Sequence, residues 1–299
     1  MSITTTSPAT VARTTRISPV RFALFVLSVA TCAIFWVAMY GGFQPVDAAN
    51  WYTYVYGGDN YIWSPAFAQL TTPLRGLPFD AFVGVVRGLE LASLIALAPF
   101  GAFVAVLLPP VAAEVNSGNI NLVLTVCVVL GLRWPAFWTL PLLTKPSMGL
   151  GLLWFLVRKE WRSFAIAVVP AAVIVTISFL ASPRDWFAWI GFLAGFSDTP
   201  GWPFPIPLWP RLPIAFVLVV WGARTNRPWT VMAATFIAWP RLYFQSLAIL
   251  VGLIPLLGLS RWMRTNGAAW LDPIPRWLSR DRSLTRREGR ETHPGTATG

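Results

Sequence analysis

The chain has 299 residues, of which 56% are hydrophobic and only 12% charged, and it carries 17 Trp. Soluble domains hold about a quarter charged residues, so this composition excludes an ordinary water-soluble enzyme and points to a membrane protein. A formal net charge of +11 would suggest nucleic acid in a soluble protein; here the basic residues flank apolar runs, so they read as topological anchors and no nucleic-acid partner is expected.

Residues 1–20 read as a cytoplasmic tail. The first apolar run, Phe22 to Tyr40, has no charged residue, and at about 1.5 Å per residue it spans ~30 Å, one hydrocarbon thickness. Arg13, Arg16 and Arg21 precede it as in a signal-peptide n-region, but the run is long for one and further spans follow. It reads as an uncleaved first helix with its N-terminus in the cytoplasm. Residues 41–78 read as a loop holding Asp47, Asp59 and the tyrosines Tyr52, Tyr54, Tyr56 and Tyr61. Spans follow at 80–99, at 101–113 with Pro109 and Pro110 near its end, and, after the polar elbow "EVNSGNIN" (114–121), through Leu132. Both cysteines, Cys32 and Cys127, fall in apolar runs and read as embedded thiols.

The segment 134–157 is apolar except for Lys145, and Pro141, Pro146 and Gly149 interrupt it. Proline removes a backbone donor and kinks a helix, so two half-helices meeting near Lys145 are expected. After "RKEWR" (158–162) come a span at 163–181, a proline-rich loop at 182–210, and shorter apolar stretches at 212–222, 229–240 and 242–259. The tail, 260–299, is basic, polar and expected to be disordered. The sum is an all-α polytopic transmembrane helical bundle over 21–259 with about ten membrane passages, short broken half-helices included. With the N-terminus inside, all Lys and Arg except Arg75, Arg87, Lys145, Arg184, Arg211 and Arg241 fall on the cytoplasmic side, as the positive-inside rule requires. A cell (inner) membrane protein with both termini cytoplasmic follows. Loops 41–78 and 182–210 then share the extracytoplasmic face with Lys145.

Histidine occurs once, at His293 in the tail, and there is no Cys/His cluster. Metal hydrolysis and Ser-His-Asp chemistry are therefore not expected. What remains is a carboxylate as general base and a cation as anion clamp. Asp47 reads either as a solvated interfacial acid or as a base that takes a proton from an attacking hydroxyl. Asp59, after Gly57 and Gly58, is a turn residue or a competing base. The aromatics between Trp51 and Trp63, Tyr52 and Tyr61 among them, form an interfacial belt or stack on sugar rings. An ammonium in hydrocarbon costs roughly 3 kcal/mol on insertion scales, so Lys145 must snorkel, pair with a carboxylate or meet a phosphate oxygen. Arg87 and Glu90, spaced i, i+3, are expected to pair with each other. Asn119 and Asn121 either cap the next helix or bond sugar hydroxyls, and Arg211 and Arg241 are candidates for a second phosphate contact.

The blocks "VDAANWYTYVYGG", "YIWSPAFAQLTTPL", "GNINLVLTVCVVLGLRWPAFW" and "LLTKPSMGLGLLWFLVRKEWR", in that order, resemble glycosyltransferase family 87 over roughly Val20 to Leu259. That family includes mannosyltransferases of the GT-C type that use polyprenol-phosphate mannose. The resemblance implies a GT-C-like fold with an extracytoplasmic active site. It also implies a polyprenyl-phosphate-linked sugar donor, mannose first, and inversion at the anomeric carbon. Asp47 then inherits the base role, Lys145 a phosphate contact, and Ser64, which opens the "SPAFAQL" block, the donor-side wall. No cofactor is expected, since a donor with a single phosphate does not need a divalent metal on charge grounds. Membrane lipids and a glycolipid or glycan acceptor are the implied partners. The competing readings are a lipid or sugar transporter and a non-catalytic envelope-assembly scaffold.

Overall fold

A computed structural model describes residues 18–39, 45–53, 63–197, 205–239 and 241–258. Among them every regular element is helical. Helix α1 (Pro19–Ala38) begins where Ser18, in extended backbone, accepts a hydrogen bond from the Arg21 amide at 3.3 Å. Its first position is proline, whose missing N–H is no loss there. Only Ser28 and Cys32 of α1 are buried, while Val20, Phe22, Ile34 and Val37 are each more than half exposed. A helix with such a surface is suited to hydrocarbon.

The segment expected as the loop 41–78 carries three short helices, α2 (Val46–Thr53), α3 (Pro65–Leu70) and α4 (Thr72–Arg75). Trp51, Trp63 and Phe67 from this stretch are buried with Phe82 in the main core, and Trp51 packs edge-on to Phe82 at 5.1 Å. Those aromatics are packed against one another rather than arrayed as a belt. Helix α5 (Phe79–Leu97) has membrane-crossing length but carries Asp80, Arg87 and Glu90. Trp36 of α1 donates its indole N–H to Gly84 O at 3.1 Å, pinning α1 to α5.

The expected span at 101–113 is instead divided between α6 (Ala102–Ala105) and α7 (Pro109–Ser117), because Pro109 starts a new helix. Helix α8 (Asn121–Gly131) follows after a bend of 106°. The 134–157 segment is broken as its prolines require: a 3-10 turn (Pro135–Trp138), α9 (Thr139–Thr144), a second 3-10 turn (Pro146–Leu152) and α10 (Leu153–Val157), with Lys145 at the central break. Then come α11 (Trp161–Ala181), α12 (Pro183–Ser197), α13 (Leu208–Arg224), α14 (Trp229–Ile237) and a 3-10 segment, Phe244–Gly252, that runs on helically to 258. Part of the expected loop 182–210 is thus helix α12. Its Trp186 and Trp189 pack on Ala171 of α11, and the Trp186 indole donates to Ser178 at 3.0 Å.

Among the described residues α1 and α11 are long and apolar enough to cross a membrane, and the bent pair α7–α8 makes up to a third. The other apolar segments are either shorter or, like α5, interrupted by charge. Two larger cores hold the pieces together. One surrounds Trp138, Met148 and Trp154, all fully enclosed; the other joins Leu91, Leu94 and Leu97 of α5 to Val106, Val111 and Val115. At one end, Arg158 pairs with Glu160 at 2.5 Å and donates to Ala223 O at 3.1 Å and to Asn226 at 2.5 Å, fastening the α10–α11 elbow to the α13–α14 turn.

Trp138 lies in a slot between two glycines. A Cβ on Gly131 would sit 2.7 Å from its ring and one on Gly151 only 2.4 Å away, with Val231 at 2.9 Å. Gly151→Ala is therefore expected to lower the thermal unfolding midpoint of the purified protein in detergent, through overpacking worth about 1–3 kcal/mol. Gly191→Ala, in α12 with no atom within 4 Å of the new Cβ, serves as the comparison. It is expected to leave the midpoint unchanged or to raise it, by up to ~1 kcal/mol of helix propensity.

Candidate functional site

The site is built on the reversal between α7 and α8. Helix α7 ends at Gly118, whose φ of 67° is in the left-handed region that L side chains rarely adopt. A Cβ at Gly118 would also lie 2.6 Å from the Ala48 Cβ, so α2 seats directly on this turn. Two consequences follow. The chain turns back so that Glu114 reaches the start of α8, and Asp47, one residue before Ala48, is brought beside Ser117 and Asn119.

Glu114 is fully buried. Its Oε1 accepts from the Asn121 backbone N–H and its Oε2 from the Asn121 side-chain amide, both at 3.0 Å. The first amides of a helix have no partner within it and carry partial positive charge, so a carboxylate is well placed there. Glu90 of α5 comes to the same helix end. It too is fully buried, its Oε1 accepts from the Val123 N–H at 3.4 Å, and its Oε2 has no hydrogen-bond partner.

Lys145 closes α9, its N–H donating to Pro141 O at 2.8 Å. Its ammonium donates to the side-chain oxygen of Asn121 and lies 4.5 Å from the centroid of the Trp239 ring. It interacts electrostatically with Glu114, Asp47 and Glu90. Arg211 holds the chain just after α14, donating to Ile237 O at 2.7 Å, Trp239 O at 2.8 Å and Pro207 O at 3.0 Å. One cation and three carboxylates, from elements far apart in the chain, thus share one polar cluster within a helical core.

Asp47 occupies the first turn of α2 and is half-buried. Burial pushes its carboxyl above the ordinary carboxylate value. Hydrogen bonding from Ser117, the Lys145 charge and Asn119 oppose that rise without cancelling it.

The other residues singled out from the sequence lie as follows. Asn119 is buried, and its side-chain oxygen accepts from the Ile120 N–H at 2.9 Å. Tyr52 donates its hydroxyl to Leu77 O at 3.0 Å and packs its ring on Phe79 and Phe82. Ser64 caps α3, accepting from the Phe67 N–H at 3.2 Å, and donates to Leu143 O, which ties α3 to the strand of chain leading to Lys145. Arg241 is half-buried with the Tyr243 hydroxyl 3.4 Å away. Asp59 and Tyr61 lie outside the described residues.

The expected Arg87–Glu90 pair is not formed. Arg87 donates to Met39 O at 2.8 Å and to the carbonyl and side chain of Asn116 at 2.9 and 3.2 Å, whereas Glu90 faces α8. Among the described residues the ion pair present is Arg158–Glu160. Sequence reasoning missed Glu90 and Glu114 as members of the cluster. For Glu114 the signal was present: an acid seven residues before a helix start, with a glycine between to reverse the chain. Among the described residues no three His, Cys, Asp or Glu side chains come together in a way that would hold a metal ion.

Comparison with known proteins gives no match: no family model, curated protein or solved structure is similar to the chain. The likeness to glycosyltransferase family 87 rests on the quoted sequence blocks alone.

A carboxyl raised in the folded state penalises the fold once it ionises. The penalty is absent below the ordinary carboxylate value, near 4, develops as pH rises from there to the raised folded value, and is complete above it. Asp47→Asn is therefore expected to raise the thermal unfolding midpoint at neutral pH, with the gain vanishing as the pH is lowered through that window. Unfolding followed at a series of pH values in one detergent checks both the sign and the window.

Proposed function

We propose that the protein is an integral membrane glycosyltransferase with a GT-C-like arrangement of about ten passages, broken half-helices included. It lies in the cell (inner) membrane with both termini cytoplasmic. It moves a sugar, mannose first, from a polyprenyl-phosphate donor to an envelope glycolipid or glycan acceptor on the extracytoplasmic face. The observation that carries this reading is the meeting of Asp47 and Lys145, nearly a hundred positions apart in the chain, in one cluster. An open apolar groove along α13, lined by Pro213, Ile214, Val217, Leu218 and Trp221, offers the prenyl chain a surface.

The chemistry needs one base and one cation. Asp47 takes the proton of the acceptor hydroxyl while that oxygen attacks the anomeric carbon from the face opposite the phosphate. The carbon–oxygen bond to phosphate breaks and its electron pair leaves with the polyprenyl phosphate, so the anomeric centre inverts. A carboxylate raised by burial is a stronger base than an ordinary one. Lys145 offsets the charge gathering on the departing phosphate as a compact point charge. The leaving group needs no proton, so a second acid is not required.

A second reading, transport of a lipid or sugar, is favoured by the depth of Glu90 and Glu114, since fully buried carboxylates among helices are the usual furniture of ion-coupled carriers.

The test is sugar transfer by the purified protein in lipid, from radiolabelled polyprenyl-phosphate sugars to mixed envelope glycolipids. Asp47→Asn is expected to lower turnover by about 100-fold or more. Lys145→Met is expected to lower it by about 100-fold and to weaken donor binding. Transfer that survives Asp47→Asn would remove the base assignment. Uptake of label into proteoliposomes without transfer would replace the enzyme with a carrier, and neither activity would favour the scaffold.

A further inference from the structure

We propose that Glu114 is a positioning residue: by clamping Asn121 through both its backbone and its side chain, it fixes the Lys145 ammonium in place to receive an anionic oxygen. The anionic oxygen rests on the reading above; the clamp does not.

The amide of Asn121 has an acceptor end and a donor end, and only the acceptor end attracts an ammonium. Nothing in an isolated asparagine chooses between them. Here Glu114 chooses. Both Glu114 oxygens accept here: Oε2 takes the Nδ2 end at 3.0 Å, so Oδ1 is turned towards Lys145. Meanwhile Oε1 holds the Asn121 N–H at 3.0 Å, so the backbone that carries the amide is held by the same group. Thr125 adds a bond from its hydroxyl to Asn121 O at 2.7 Å. All three of Glu114, Asn121 and Thr125 are buried, so water does not compete for these bonds.

Asn121 uses one of the three donors of the ammonium, and the face of Trp239 takes one side of it. The charged groups that face Lys145 are Asp47 from α2, Glu90 from α5 and Glu114 from α7. Asp47 stands beside the Gly118 turn, next to Ser117 and Asn119. The clamp therefore holds the ammonium by way of Asn121, on which Glu114 acts directly. Gly118 is the part that makes it possible, since only a left-handed residue there lets Glu114 reach the residue seven positions ahead.

The hydrogen-bond polarity makes a specific test. Glu114→Gln puts an NH₂ where one oxygen was, so a donor meets a donor and the Asn121 amide turns its NH₂ to Lys145. Asn121→Asp alone sets two carboxylates face to face. The double change Glu114→Gln/Asn121→Asp reverses the one side-chain bond and keeps the other two: the new amide still accepts from the backbone N–H and now donates to the new carboxylate, whose other oxygen meets Lys145.

The full chain in lipid nanodiscs is acetylated with acetic anhydride across a pH series, and the Lys145 peptide is quantified by mass spectrometry. In Glu114→Gln the midpoint of acetylation is expected to fall by about one pH unit, because the charged amine has lost its acceptor. The double variant is expected to return it to the wild-type midpoint or above. Binding of decaprenyl phosphate, measured on the same samples, is expected to weaken about 10-fold in the single variant and to recover in the double. If Glu114→Gln does not fold, Asn121→Ala takes its place and is expected to lower the midpoint in the same way. An unchanged midpoint in the single variant, or a fallen one that the double variant does not restore, overturns the proposal. A midpoint that behaves as described in a protein that does not bind decaprenyl phosphate keeps the clamp and removes the glycosyltransferase reading.

Discussion

A lysine ammonium surrounded by helices must be compensated, and much of this molecule's layout can be derived from how that is done. The charge is not neutralised by one partner at contact distance. It is spread over an amide oxygen, an indole face and three carboxylates at greater range. That arrangement needs a helix start beside it, because two of the carboxylates are themselves compensated by the amides of α8. The chain also breaks at Lys145, between α9 and the following 3-10 turn, where the side chain reaches Asn121 of α8 and the Trp239 ring. The prolines flanking Lys145 supply that break.

The turn at Gly118 serves two carboxylates at once. It reverses the chain for Glu114 and offers a surface without a side chain against which α2 closes. The same residue therefore places both the acid that stabilises the helix start and Asp47. Asp47 ionises at an energetic cost because of where α2 sits.

The helical class, the break at Lys145 and the first membrane helix were legible in the sequence, because they depend on local properties: apolar length, proline positions and the cap at Ser18. The short helices α2 to α4 were not. Their segment is polar enough to read as a loop, and its aromatics become core through contacts such as Trp51 on Phe82 of α5 that no local pattern announces. The Arg87–Glu90 expectation failed for a related reason. An i, i+3 spacing brings two side chains near each other, but Arg87 was outbid by the Asn116 and Met39 carbonyls, and Glu90 by the amides of α8. Of the cluster, Asp47, Lys145, Asn119 and Asn121 could be read from residue type and position. Glu114 and Glu90 required the fold.

The polar cluster has a further consequence for how the helices find one another. Lipid tails are as apolar as leucine, so in a bilayer apolar faces gain little by choosing one neighbour over another. Sliding α5 by one turn along α8 would trade apolar contacts for others of similar worth. It would also strip Glu90 of the Val123 amide. A slip of α7 would do the same to Glu114, and a slip of the Lys145 break would part the ammonium from the Asn121 oxygen. Of the many ways to stack these apolar cylinders, the cluster penalises nearly all. It acts as the index mark of the bundle, setting the vertical alignment of α5, α7, α8 and the broken hairpin to within a fraction of a helical turn.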